Sequence, residues 1–221
     1  MRLYNILKNN YDLTKSELDD FMNRHEVLVN QKKATLITNV LENDILTVDG
    51  VKVNFKVDYK YYEFYKPRGI VSSNNLNVDS NIKSYINLPF RVFPIGRLDK
   101  DSEGLLILTN NQAVCNKFLS LDNHIEKEYV VTLDKSYDDT FLYKMSKGVP
   151  VLGKITKECT LNRIDEKTFS IILKEGMNRQ IRRMCKYFSY NVVMLKRVRF
   201  GKLKLDVEVG EIKEINLNMI E

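Results

Sequence analysis

Short apolar blocks alternate with polar turns along the whole chain, a spacing that suits many strands and few helices. Leu3, Ile6 and Leu7 predict a short helix, and residues 16–22 predict a second, for which Thr14 is a suitable cap. Strands follow at 27–29, 34–37 and 45–48, where Asp49-Gly50 turns the chain into a further strand at 51–53. A charged, tyrosine-rich stretch at 56–62 marks a domain boundary, which we place at 57/58. Beyond it, 61–65 reads as a strand stopped by Lys66-Pro67-Arg68-Gly69, because proline cannot continue a central ladder. The apolar run at 105–109 predicts a buried strand, 112–119 a helix, 128–133 a strand, and 139–147 a helix ended by Gly148 and Pro150. Residues 159–163 and 168–173 form a hairpin pattern. In 179–188, Ile181, Met184, Cys185 and Phe188 recur at the helical period, while Arg179, Arg182, Arg183 and Lys186 fall on the opposite side. Strands at 192–195 and 212–217 complete the series, close to the end of the sequence, so no C-terminal extension is expected. The expected fold class is α+β, with a mostly antiparallel mixed sheet.

Composition agrees with a folded chain: 43% of the 221 residues are apolar and 29% charged, which excludes disorder as the default. The length allows two domains, expected at 1–57 and 58–221. No apolar segment is long enough to span a bilayer and no signal-peptide core follows Met1, so a cytoplasmic location is expected. Cys115, Cys159 and Cys185 lie far apart, and only His25 and His124 accompany them. Neither a disulfide framework nor a metal-ligand cluster can be drawn from that set.

Charge adds a partner. Residues 1–57 balance eight basic against eight acidic side chains, so the whole surplus of +6 falls in 58–221. It is densest between 174 and 204, where Arg179, Arg182, Arg183, Lys186, Lys196, Arg197, Arg199, Lys202 and Lys204 face one acid, Glu175. Such a cluster favours a polyanion, because neutralising phosphates releases counterions. A solvated basic face is the plainer alternative.

Candidate chemistry lies in Gly96-Arg97-Leu98-Asp99-Lys100-Asp101-Ser102-Glu103-Gly104. Glycine at both ends lets the backbone turn tightly and approach a ligand closely. The buried strand after it would give a charged loop a rigid support. From these residues alone the stronger reading is the plain one, with Asp99 capping a turn and Arg97 in solvent.

The loop gains meaning beside Tyr65-Lys66-Pro67-Arg68-Gly69, Lys127-Glu128-Tyr129, Glu175-Gly176-Met177-Asn178-Arg179-Gln180-Ile181-Arg182-Arg183-Met184 and Leu195-Lys196-Arg197-Val198-Arg199. Together, in this order over most of 61–205, they closely resemble the ribosomal RNA pseudouridine synthases of the RsuA, RluB, RluE and RluF type. Gly148-Val149-Pro150-Val151-Leu152-Gly153, followed by Thr156-Lys157-Glu158-Cys159, resembles the RluF branch, which implies 23S large-subunit ribosomal RNA as substrate.

The resemblance implies isomerisation of uridine to pseudouridine with no cofactor and no metal. The N-glycosidic bond breaks, the base rotates, and a carbon–carbon bond to C5 forms. A target base must first leave its stack, at a cost of a few kcal/mol. Asp99 matches the aspartate that acts on the ribose, either by attacking C1′ or by removing the C2′ proton. Arg182 matches the arginine that pairs with it, and Tyr129 the tyrosine that stacks on the flipped base. Arg97 matches the arginine that fills the vacated gap or holds a phosphate, a task for a planar guanidinium. Leu195 is expected to wall the uracil pocket. Lys66, Arg68, Arg179, Arg183, Lys196, Arg197 and Arg199 are expected RNA contacts. Asp101 and Glu103 read as loop-shaping residues.

Residues 1–57 resemble the small RNA-binding domain named after ribosomal protein S4. Here its second helix is acidic (Glu17, Asp19, Asp20), leaving Arg24, Lys32 and Lys33 as phosphate partners. The expected partner is thus ribosomal RNA, approached by a monomer. A transfer RNA is a further candidate substrate beside it, and a 16S small-subunit RNA substrate or a non-catalytic ribosome-assembly role are the alternatives.

Overall fold

The computed structural model describes residues 2–220 apart from 42, 56–58, 76, 90 and 120–124. The expected boundary at 57/58 lies outside the described residues. The chain divides into two compact units, Met1–Tyr59 with Leu88–Val92, and Lys60–Asn87 with Phe93–Glu221.

In the first unit, helices α1 (Leu3–Asn10) and α2 (Lys15–Arg24) precede strands β1 (Val27–Val29), β2 (Lys32–Lys33), β3 (Leu46–Val48) and β4 (Val51–Val53). The strands pair antiparallel in the order β2-β1-β3-β4. Their core is Leu3, Ile6 and Leu7 from α1 and Leu18 from α2, packed with Val27, Val29, Leu46, Val48 and Val53. Thr14 holds the start of α2 by giving both its N–H and its hydroxyl to the Glu17 carboxylate, at 2.7 and 2.6 Å.

The strand expected at 34–37 is absent. Asn30 and Gln31 both take positive φ and turn the chain two residues earlier, so Lys32 and Lys33 pair with β1 instead. Thr35 and Thr38 then close a turn, with Thr38 Oγ1 accepting from the Thr35 N–H at 2.9 Å.

The second unit runs β5 (Tyr61–Lys66), α3 (Ile82–Tyr85), β6 (Phe93–Ile95), β7 (Glu103–Thr109), α4 (Gln112–Leu119), β8 (Lys127–Leu133) and α5 (Asp139–Ser146). It continues with β9 (Pro150–Val151), β10 (Lys154–Ile155), β11 (Thr160–Arg163), β12 (Thr168–Leu173), α6 (Gln180–Tyr187), β13 (Val192–Phe200), β14 (Leu203–Lys204) and β15 (Ile212–Ile215). Nine strands form one sheet in the order β11-β12-β8-β13-β7-β5-β15, with β14 on β13 and β6 on β7. The fold is α+β and mostly antiparallel, as expected. One junction differs: β13 runs parallel to β7, with Lys196 opposite Glu103 and Arg197 opposite Gly104.

Two separate cores both draw on β13. Phe141 and Met145 of α5 and Ile181, Met184 and Cys185 of α6 pack with Val131, Phe169, Ile171 and Leu195. Cys115 and Phe118 of α4 pack with Ile95, Leu105, Ile107 and Phe200. The amphipathic pattern of α6 is realised, but the helix starts at Gln180, with Arg179 as a left-handed cap at φ +52°. Strand β13 extends five residues beyond the expected 195, to Phe200. Among the described residues, no helix is long and apolar enough to cross a membrane.

The parallel junction explains Gly104. Its φ is +100°, and a Cβ there would lie 2.3 Å from the Arg197 carbonyl oxygen. Gly104→Ala should cost about 3 kcal/mol or more, since backbone rather than a flexible side chain must move. Gly69 also has positive φ (+88°), but nothing lies within 4 Å of a Cβ built on it, so Gly69→Ala should cost only about 1–2 kcal/mol. Urea unfolding of both variants checks the difference.

Candidate active site

Residues 96–102 connect β6 to β7, which pair antiparallel from Phe93 opposite Thr109 to Ile95 opposite Ile107. The strands fix both ends of the loop, and hydrogen bonds to its backbone fix the middle. The carbonyl of Gly96 accepts from Arg197 Nη2 at 3.0 Å, and that of Leu98 accepts from Ser72 Oγ at 2.8 Å. Asp99 O accepts from the Ser102 N–H at 3.0 Å, and Lys100 O from the Gly69 N–H at 2.8 Å. Asp101 O accepts from Arg182 Nη2 at 2.9 Å.

The side chains are left otherwise. Leu98 is buried, Arg97 is exposed and Asp99 is half-buried. Among the described residues, none donates a hydrogen bond to the Asp99 carboxylate or pairs with it, and Arg97 likewise has no partner. A carboxylate on a held backbone, with its lone pairs uncommitted, can meet a substrate without first breaking a contact.

The cations around it are buried to different depths. Lys66, at the end of β5, is 0% exposed, and its Nζ donates to the carbonyls of Pro67 and Ile70, both at 2.8 Å. Burial pushes its pKa down to about 8, against the upward pull of Glu103, Asp99 and Asp101. Burial also lowers Arg182, aided by Arg179 and opposed by Asp101 and Asp99. The Asp101 carboxyl is held low by the hydrogen bond from Arg179, a 3.2 Å ion pair, with Arg182 and Arg68 adding to it.

Several expectations need correction. Arg182 does not pair with Asp99: one arm holds Asp101 O, the other holds Val192 O at 3.0 Å, and its Nε is buried without a partner. Its charge reaches Asp99 through space only. Arg197, expected to contact RNA, is buried instead. It is 1% exposed, with Nε donating to Leu105 O at 2.7 Å and its guanidinium 5.5 Å from the Phe200 ring centre. Lys66, also an expected RNA contact, is likewise buried. Arg199 is engaged by Glu128, Glu126 and the Gly201 carbonyl, so its charge is already neutralised.

The remaining cations keep exposed positions. Arg68 is exposed; Arg179 is exposed and paired to Asp101; Arg183 is exposed and folds back on Asn178. Lys196 is half-buried, with its Nζ 4.8 Å from the Tyr65 ring centre. Tyr65 in turn donates to Glu103 at 3.0 Å, and burial raises it to about 12, with Glu103 adding to the effect. Tyr129 lies on β8 opposite Ile171 and Arg197, half-buried against the α5–α6 core. Leu195 is buried in the same core, opposite Val131.

Sequence reading missed Ser72, which meets the loop from a segment with no recognisable motif. Only its place just after Lys66-Pro67-Arg68-Gly69 hinted at a role.

The arrangement thus offers a free carboxylate on a held loop, within the electrostatic reach of Lys66 and Arg182. Comparison with known proteins specifies the class. A family model described as RNA pseudouridylate synthase matches residues 60–187. The dual-specificity RNA pseudouridine synthase RluF of Salmonella typhi is 40% identical over 205 residues, covering 91% of this chain and 71% of the relative. The ribosomal large subunit pseudouridine synthase B of Bacillus subtilis is 30% identical, covering 97% of this chain and 91% of the relative. A crystal structure of a pseudouridylate synthase matches with a TM-score of 0.70 at 25% identity, covering 100% of this chain and 98% of that one. The chain belongs to the RNA pseudouridylate synthase family, and it is an RNA pseudouridine synthase, an isomerase.

The buried ammonium of Lys66 makes stability pH-dependent. Its pKa falls from 10.5 to about 8 on folding, so between those values the unfolded chain binds more protons and stability should rise with pH. Relative to Lys66→Met, the wild type should gain stability from pH 8 to 10.5, read as the difference between the two urea-midpoint profiles. Parallel profiles would mean that Lys66 keeps an ordinary pKa.

Proposed function

We propose that this enzyme isomerises one uridine of ribosomal RNA, in the 23S large-subunit RNA, and that Asp99 is the group that acts on its ribose. The observation that carries the reading is the uncommitted Asp99 carboxylate on a loop whose backbone is held at Gly96, Leu98, Lys100 and Asp101. The chemistry needs such a group. A carboxylate oxygen either attacks C1′ as the C1′–N1 bond breaks, or takes the C2′ proton as the uracil leaves. The base then turns, C1′ bonds to C5, and the C5 proton is lost while N1 gains one.

In this reading the uracil stacks on Tyr129, whose hydroxyl has no partner among the described residues, and Leu195 walls the pocket behind it. Lys66 and Arg182 lie within the electrostatic reach of Asp99, which offsets the cost of covering an anion with a substrate. Arg97 occupies the gap of the flipped nucleotide or holds its phosphate; Arg68, Arg179, Arg183 and Lys196 meet the backbone around it. Arg179 exchanges a surface carboxylate for a phosphate, a change that costs little because exposed ion pairs are weak.

The first unit, as an S4-like domain, adds affinity through Lys32 and Lys33, which are exposed on β2, while Arg24 is shared with Asp20 at 3.3 Å. The name of the Bacillus subtilis relative, a ribosomal large subunit pseudouridine synthase, supports large-subunit ribosomal RNA as the substrate. We expect a cytoplasmic monomer.

The test is to incubate wild type and Asp99→Asn with large-subunit ribosomal RNA that lacks pseudouridine, and to map the product at single-nucleotide resolution. New pseudouridine at one site with wild type, and a rate lower by roughly 1,000-fold or more with the variant, is the expected result. Tight binding by both proteins with modification by neither, on small-subunit and transfer RNA as well, would favour the assembly role.

A further inference from the structure

One side chain holds the residue that precedes Asp99. Leu98 is 6% exposed, and both of its backbone polar groups meet the same hydroxyl: Ser72 Oγ donates to Leu98 O at 2.8 Å and accepts from Leu98 N–H at 3.1 Å. The N–H belongs to the peptide plane entering Leu98, and the carbonyl to the plane leaving it. The second plane carries the Asp99 nitrogen and Cα; with the plane after Asp99 held by the Ser102 N–H on Asp99 O, the direction in which the Asp99 Cα–Cβ bond departs is set from both sides. Ser72 is itself 6% exposed, which leaves little room for water to replace it.

The serine is braced on both sides. The Val71 N–H donates to Ser80 O at 2.8 Å, the Ile82 N–H donates to Ser73 O at 3.0 Å, and Gly69 reaches Lys100 O. Lys66 closes the preceding turn through Pro67 O and Ile70 O. A hydroxyl on so constrained a segment can transmit position to the loop instead of following it.

We propose that Ser72 is a positioning residue for the isomerisation: through Leu98 its hydroxyl sets the angle at which the Asp99 carboxylate meets the ribose. The proposal rests on the reading of Asp99 given above. Misplacing a reacting group by about 1 Å can cost roughly 100-fold in rate, so the effect falls on the chemical step and not on RNA affinity.

The experiment compares Ser72→Ala, Ser72→Thr and Ser72→Cys with wild type and Asp99→Asn, measuring kcat and KM on large-subunit ribosomal RNA lacking pseudouridine. Ser72→Ala should lower kcat roughly 100-fold with KM within about twofold. Ser72→Thr keeps the hydroxyl and should recover kcat to within about fivefold of wild type. Ser72→Cys keeps the size but bonds weakly, and should follow the alanine variant; it carries the test if that variant does not fold. Wild-type kcat in Ser72→Ala or Ser72→Cys, beside an inactive Asp99→Asn, overturns the role of Ser72 and leaves the reading of Asp99 intact. A loss confined to KM, or an equal loss of kcat in Ser72→Thr, overturns it too. Wild-type turnover by Asp99→Asn instead defeats the reading of the site, and the proposal with it.

Discussion

Backbone carbonyls in a tight loop must find donors, and for Gly96, Leu98, Lys100 and Asp101 those donors come from elsewhere in the fold, while Asp99 O is met by Ser102 of the loop itself. Arg197 reaches in from β13, Ser72 and Gly69 from the segment after β5, and Arg182 from α6. Buried carbonyls without donors would cost about 1–3 kcal/mol each. Once they are satisfied this way, the backbone has one arrangement, and the side chains of Arg97 and Asp99 need not stabilise it. That separation of tasks is what leaves a carboxylate uncommitted. One of these donors, Arg197, also bonds β7 at Leu105 O, where β13 runs close and parallel to β7, and that contact requires glycine at 104.

The arginines and lysines of this half of the chain therefore divide by depth. Arg197 and Lys66 are interior cations whose hydrogen bonds go to carbonyls, and a guanidinium suits this work because its donors are fixed in a plane. Arg182 stands between, bonded to two carbonyls yet within the field of Asp99 and Asp101. Arg68, Arg97, Arg179 and Arg183 are exposed, Arg179 pairing with Asp101 and Arg183 with Asn178 at the surface. A basic cluster that reads as uniform in sequence is split in the structure into buried and exposed cations.

The periodic elements were legible in the sequence. Helix α4 and strand β12 fall at the expected 112–119 and 168–173, because each has a full apolar face to bury. What escaped was short or conformationally unusual. The turn at Asn30 and Gln31 needs positive φ from two residues that are not glycine, β9 and β10 are two residues each, and β6 contains Pro94. In the site, the resemblance drew attention to Asp99, Tyr129 and Arg182, but not to the fate of the cations. Whether an arginine is buried depends on carbonyls distant in the chain: Gly96 lies 101 residues from Arg197, and Leu105 lies 92. Local pattern carries no trace of such partners.

The central claim is that the loop is already fixed before RNA arrives. Native-state hydrogen exchange on the RNA-free protein tests it most directly at the amides of Gly69, Leu98 and Ser102, which donate to Lys100 O, Ser72 Oγ and Asp99 O. The account predicts that these amides exchange as slowly as those of the buried strand β7, through opening of the whole unit. Fast exchange at Leu98 and Gly69 while β7 stays protected would contradict it, and would mean that the loop is ordered by its substrate.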